Sequence, residues 1–124
     1  MKFAIIAVAT IFGFATLHSA QAMTGDATWY HLNGGITACG ERFTDQDLVA
    51  ATAFNYWTHP NPNLDPMCQR RARVTDPTSG RQVVVRIKDK CGGCRSGDID
   101  LSPAAFRQLR DLGVGRFRVN WDFI

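Results

Sequence analysis

Beyond residue 22 the sequence has no long apolar run, so nothing from residue 23 to residue 124 reads as a membrane span. It also lacks a decisive charge of either sign. The 14 Lys and Arg face 11 Asp and Glu, and the balance falls to +2 once Lys2 is set aside. That is too mild to argue for nucleic acid or an anionic membrane as a partner. No N-x-[ST] sequon, internal repeat or low-complexity segment is present. Only Cys91 and Cys94 have C-x-x-C spacing, whereas a four-cysteine zinc site usually shows two such knuckles. A redox C-x-x-C needs a βαβ setting, which the pattern does not supply. His31 and His59 have no partner at metal spacing and read as loop histidines. No metal and no cofactor is expected.

What is present begins with an export signal. Lys2, an apolar run from Phe3 to Leu17 and the small-x-small site Ala20-Gln21-Ala22 make residues 1–22 a secretory signal peptide. The remaining 102 residues, 23–124, are enough for one modest core and therefore one domain, expected to be secreted, extracellular and monomeric. Four cysteines in a small secreted domain read as two disulfides, and spacing alone leaves all three connectivities open.

The mature segment is strand-rich. Gln82–Lys88 alternates, with Val83, Val85 and Ile87 on one face and Gln82, Arg86 and Lys88 on the other; Val84 is the exception. Asp76-Pro77-Thr78-Ser79-Gly80 ahead of it is turn chemistry. Asp26–Tyr30, Leu48–Phe54 and Arg71–Thr75 read as strands, as does the short Asp98–Leu101. The last is Arg116–Phe123, with Phe117, Val119, Trp121 and Phe123 inward. One helix is signalled over Pro103–Leu112, with Ser102 as N-cap and Gly113 beyond its end. Tyr56 to Cys68, with three prolines and no periodicity, reads as a long loop that is functional or disordered. The arginine pairs Arg70-Arg71 and Arg107/Arg110 read as a solvated face. Short strands with few helices suit a closed barrel, which removes exposed edges.

Four fragments in order carry a family resemblance across nearly the whole mature chain. Gly25-Asp26-Ala27-Thr28-Trp29-Tyr30 resembles the opening strand of rare lipoprotein A, the expansins and the barwins, and Thr37-Ala38-Cys39-Gly40 is similar to the A-C-G of expansins and barwins. Val74–Gly80 with Ile87-Lys88-Asp89-Lys90-Cys91 resembles barwin and rare lipoprotein A together. Asp100-Leu101-Ser102 with Ala105-Phe106 resembles the D-L-S-x-x-A-F run of expansins. The resemblance implies an all-β (minor α) fold, a six-stranded double-psi β-barrel with one short helix. For the cysteines, the barwin likeness implies Cys39 with Cys91 and Cys68 with Cys94, whereas the expansin likeness implies Cys39 with Cys68. A Cys39–Cys91 bond would close a loop of about 50 residues, worth roughly 4 kcal/mol. No cysteine follows the cleavage site, so the lipid anchor of bacterial rare lipoprotein A is not implied.

The resemblance also implies a site. In the expansin-like pattern Thr28, Asp89 and Asp100 line a polysaccharide groove, near the Tyr56–Cys68 loop, with Asp100 as the essential acid. A buried carboxyl there could protonate a glycosidic oxygen. Hydrolysis needs a second carboxylate, and in the family 45 endoglucanases that share the barrel it follows the Tyr-Trp pair. Here Tyr30-His31-Leu32 occupies that stretch, and Leu32 cannot be a base. Trp29 and Tyr30 occupy adjacent strand positions, so one is expected in the core and the other at the groove edge. Tyr56 and Trp57 would stack on sugar rings if exposed. Asp98 is expected to face solvent.

Like the single-domain loosenins, the chain shows no second carbohydrate-binding domain before Ile124. The main expectation is therefore an expansin-like, loosenin-type protein that binds and loosens cellulose, chitin or peptidoglycan without hydrolysis. Three alternatives stand beside it, one of them a secreted effector or defence protein of barwin character that binds chitin or another glycan. Small secreted double-psi barrels with this four-cysteine layout also resemble inhibitors of papain-like cysteine proteases. A lytic transglycosylase needs only one acid/base, because the sugar's own hydroxyl attacks.

Overall fold

A computed structural model describes residues 22–124. The expected signal peptide, except for Ala22, lies outside the described residues. Among the described residues no helix is long and apolar enough to cross a membrane.

Six strands close into a barrel: β1 (Met23–Trp29), β2 (Val49–Ala53), β3 (Arg71–Thr75), β4 (Gln82–Cys91), β5 (Ile99–Leu101) and β6 (Phe117–Phe123). Their order around the barrel is β1-β5-β2-β4-β3-β6. The β1–β5 and β2–β4 pairs are parallel and the other four antiparallel. This is the all-β double-psi barrel that the sequence fragments imply. Every residue of β2, Val-Ala-Ala-Thr-Ala, is buried. A strand covered on both faces reads as a run rather than an alternation. The core gathers Val83, Val85 and Ile87 of β4, Val119 and Trp121 of β6, and Phe106 and Leu109. Each such side chain stabilises the fold by about 1.5–3 kcal/mol relative to exposure.

One departure from alternation matters for the site. β2 pairs Ala50 with Ile87 but Ala51 with Asp89, so Lys88 is an extra residue in β4. The bulge reverses the parity of the strand beyond it. Lys88, expected on the outer face, is therefore buried, and its Nζ donates to Glu41 Oε1 (2.7 Å) and to the Cys68 carbonyl (3.1 Å). The Lys88 carbonyl in turn accepts the Cys39 N–H. Lys88 thus draws Cys39 and Cys68 together, and those two form a disulfide. Cys91 closes on Cys94 across two glycines. The pairing implied by the barwin likeness is corrected, and the Cys39–Cys68 bond implied by the expansin likeness is the one found. With a sequence separation of 29 between its cysteines the first bond is worth about 3.5 kcal/mol in chain entropy. The second, with a separation of 3, is worth about 1.5–2 kcal/mol.

The helix is shorter than expected. α1 spans Pro103–Arg107, capped by Ser102, whose Oγ accepts the Ala105 N–H. It does not run to Leu112: the backbone turns extended at Asp111 (ψ 144°), and Arg110 just before that turn pairs with Asp76. Arg110 Nε and Nη2 donate to the two carboxylate oxygens at 2.8 and 3.0 Å. Arg110 is thus half of an ion pair with a buried acid rather than part of a solvated face. Asp76 also accepts the Thr78 N–H and the Ser79 hydroxyl, and Gly80 closes that turn at φ 81°.

The segment between Tyr56 and Cys68 is not shapeless. It contains short 3-10 turns at Pro62–Leu64 and Pro66–Gln69, and buried Asp65 holds it. Burial pushes the Asp65 carboxyl up, but N–H donors from His59, Met67 and Thr58 outweigh that and leave it below the usual range.

Candidate functional site

A groove of about 470 Å³ runs along one face of the barrel, and the strand register explains its floor. Thr28 on β1 pairs with Asp100 on β5, Asp100 with Ala51 on β2, and Ala51 with Asp89 on β4. Side chains in one such row share a face. Residues distant in sequence are thereby set side by side, and the small Ala51 methyl between the two acids leaves the floor open. The walls add Trp29, Tyr30, the Cys91–Cys94 turn and Arg116.

Chemically the two acids differ. Asp100 accepts the Thr28 hydroxyl on Oδ1 at 2.9 Å. Burial pushes its carboxyl above the usual range, while the Thr28 bond and nearby Arg116 partly oppose this and the Asp89 charge adds to it. Its other oxygen accepts no bond among the described residues, yet no buried side-chain polar atom lacks a partner. That oxygen is therefore open to the groove.

Asp89 is saturated. It accepts the Tyr30 hydroxyl (2.9 Å), the Ala38 N–H (2.9 Å) and the Lys90 N–H (3.0 Å). Its carboxylate pins the segment after β1 to β4, and burial together with Asp89 raises the Tyr30 hydroxyl far above its ordinary range. Asp89 has little left to offer a ligand or a water nucleophile. Leu32, at the position where a base is wanted, is buried against Phe43 and Val49.

The aromatic expectations divide. Trp29 and Tyr30 both border the groove; Trp29 Nε1 donates to the Leu112 carbonyl. Tyr56 and Trp57 do not border it. Tyr56 packs edge-on against Trp121 and Phe123 and donates to the Ser96 carbonyl. Trp57 is buried, with Nε1 on Thr52 Oγ1. Both side chains are consumed by packing, so the expected exposed stacking aromatics are corrected. The Tyr56–Cys68 loop contributes nothing to the groove lining either.

Asp98 does not simply face solvent. It accepts the N–H groups of Asp26 and Arg95, clamping the turn before β5 to β1. Sequence reasoning misses Arg116, 15 residues beyond β5, and Phe54, which is 56% exposed beside Lys90 and Gly92. No motif marks either. Among the described residues no cluster of three His, Cys, Asp or Glu could hold a metal ion.

Comparison with known proteins places these features. Residues 22–121 match the family model described as lytic transglycolase. A "Papain inhibitor" from Streptomyces mobaraensis is 43% identical over 107 residues, covering 84% of this chain and 73% of that protein. The solved "Streptomyces papain inhibitor" superposes with a TM-score of 0.79 at 37% identity, covering 85% of this chain and 96% of that one. A mutant Clavibacter michiganensis expansin in complex with cellohexaose superposes at 0.69 with 26% identity, and the match covers 84% of this chain but only 50% of the expansin. The much greater likeness to the inhibitor, over most of both chains, overturns the reading as a polysaccharide-loosening protein.

Proposed function

The chain belongs to the lytic transglycolase family of double-psi β-barrels, and within that family we propose that it is a secreted inhibitor of papain-like cysteine proteases. The observation that carries this reading is the likeness to the papain inhibitors over nearly the whole barrel. Residues 1–22 act as the export signal and residues 23–124 as the inhibitory domain.

The loops support the reading physically. A protein that blocks a protease must present ordered surface, because ordering it on binding costs affinity. Ile36 and Leu64 are 64% and 66% exposed on two separate connections. The Cys39–Cys68 bond ties those connections together, and Lys88 and Asp65 hold them from beneath. Apolar side chains are thus held out on a rigid frame. The test is titration of active papain with the protein spanning Met23–Ile124. Stoichiometric loss of peptidase activity, with the added chain uncleaved, is expected. Full papain activity at a large molar excess would overturn the proposal.

A second reading is favoured by Asp100, whose carboxyl has one oxygen open to the groove and is pushed above the usual carboxylate range by burial. One such acid suffices for lytic cleavage of a glycan, in which the sugar's own hydroxyl displaces the leaving oxygen. Incubation with peptidoglycan, followed by mass spectrometry, should then release anhydro-sugar products that Asp100→Asn abolishes. No release would end this reading and leave the inhibitor proposal intact.

A further inference from the structure

The two disulfides sit in different environments. Cys39 and Cys68 are buried, and Cys68 Sγ lies 3.3 Å from the Pro62 carbonyl. Cys91 and Cys94 are only half-buried and form part of the groove wall. The two residues between them carry no side chains. A Cβ on Gly93 would meet nothing within 4 Å, and one on Gly92 only the Phe54 ring at 3.7 Å. The turn between the two cysteines therefore adds no side chain that could cover the sulfur pair. Lys90, next in sequence to Cys91, lines the same groove and places positive charge on that wall.

The turn does not depend on its sulfur bond. Asp98 accepts the Arg95 N–H, Tyr56 donates to the Ser96 carbonyl, and Trp121 Nε1 donates to the Gly97 carbonyl. These contacts hold the rest of the β4–β5 connection if the bond opens. The ring is also the smaller of the two, so its opening releases the less chain entropy. Disulfides that are only partly buried are more open to exchange with thiolates than fully buried ones.

We propose that Cys91–Cys94 is a thiol-exchange site that takes the active-site thiolate of a cysteine protease, a proposal that rests on the inhibitory reading above. The protease thiolate attacks one sulfur of the pair. The bond between Cys91 and Cys94 breaks, a bond between the protease sulfur and the attacked sulfur forms, and the other sulfur leaves as a thiolate that takes a proton from water. The departing sulfur carries away the electron pair of the broken bond, so no outside oxidant enters. Return attack by the freed thiolate reverses the step and releases the protease. Such an inhibitor needs a reactive protease thiolate, which restricts it to enzymes with a low-pKa cysteine.

The test mixes the protein with freshly reduced, desalted papain, quenches in acid and measures intact mass without reductant. A species with the summed mass of both chains is expected, collapsing to the separate chains on adding dithiothreitol. Papain whose active-site thiol has been carboxymethylated should form none. The double variant Cys91→Ser/Cys94→Ser should inhibit papain roughly tenfold less well or worse while keeping a cooperative thermal transition. Full inhibition by the unaltered protein with no adduct overturns this proposal alone. So does a double variant that inhibits as well as the parent. Neither inhibition nor adduct overturns the inhibitory reading as well.

Discussion

Removing each disulfide in turn should weaken the fold unequally, and the structure says by how much. A crosslink stabilises mainly by denying entropy to the unfolded chain, so the double substitution Cys39→Ser/Cys68→Ser returns the freedom of a 29-residue separation. That is about 3.5 kcal/mol, and a domain of this size shifts its Tm by about 4–8 °C per kcal/mol, which gives a fall of roughly 15–25 °C. Cys91→Ser/Cys94→Ser returns a separation of 3, about 1.5–2 kcal/mol and roughly 6–15 °C. Burial widens the gap. Cys39 and Cys68 are 8% and 6% exposed, so serine hydroxyls there lose solvation that the half-buried pair keeps. Calorimetry of the two double variants and the parent at one pH reads the difference directly. Equal shifts, or the larger shift from the Cys91/Cys94 pair, would refute the assignment of Cys39–Cys68 as the principal staple.

Three other substitutions test the electrostatics and the close packing. Asp76→Asn should cost about 2 kcal/mol at neutral pH by dismantling the charged hydrogen bonds of a buried acid. Arg110 above all, with Thr78 and Ser79, holds the Asp76 carboxyl below the usual range. Its stabilisation is therefore complete above about pH 4 and drains away as pH falls toward the folded value, so thermal melts should show a flatter acid limb in the variant. Asp100 has the opposite sign. Burial raises its folded value, so its contribution is greatest at low pH and shrinks as pH rises through that value. Asp100→Asn should match or exceed the parent's Tm at pH 7, and a clear loss would count against this account. Gly25→Ala would place a Cβ 2.0 Å from the Gly97 carbonyl oxygen, a backbone atom that cannot swing aside. A cost of about 3 kcal/mol or more is expected, and a variant melting within a few degrees of the parent would contradict the close approach.

Much of the barrel is legible because its strands are locally encoded. β3 falls on Arg71–Thr75 as the pattern predicts, and β6 buries Phe117, Val119 and Trp121 as its alternation requires. β4 keeps its alternation from Gln82 to Ile87. It fails at Lys88, because a bulge is a property of two paired strands and leaves no mark on one. The helix also ends before its predicted limit, because the backbone turns extended at Asp111 and a separate 3-10 turn follows at Leu112–Val114.

The residues of the groove and their use were decided at different levels. The sequence by itself determined six short strands, four cysteines in a small domain, and acids at positions 89 and 100 beside glycine-rich turns. Those are matters of residue type and spacing. Only the tertiary structure decided that Thr28, Asp100, Ala51 and Asp89 stand in one row, because that row crosses four strands whose order around the barrel is not their order in the chain. It alone decided that Asp89 spends its oxygens on Tyr30, Ala38 and Lys90 while Asp100 keeps one open, and that Tyr56 and Trp57 are packed away. Cysteine pairing belongs to the same level. Which sulfurs meet depends on where Lys88 draws two distant loops together, and that follows from long-range hydrogen bonding rather than from the spacing of the cysteines.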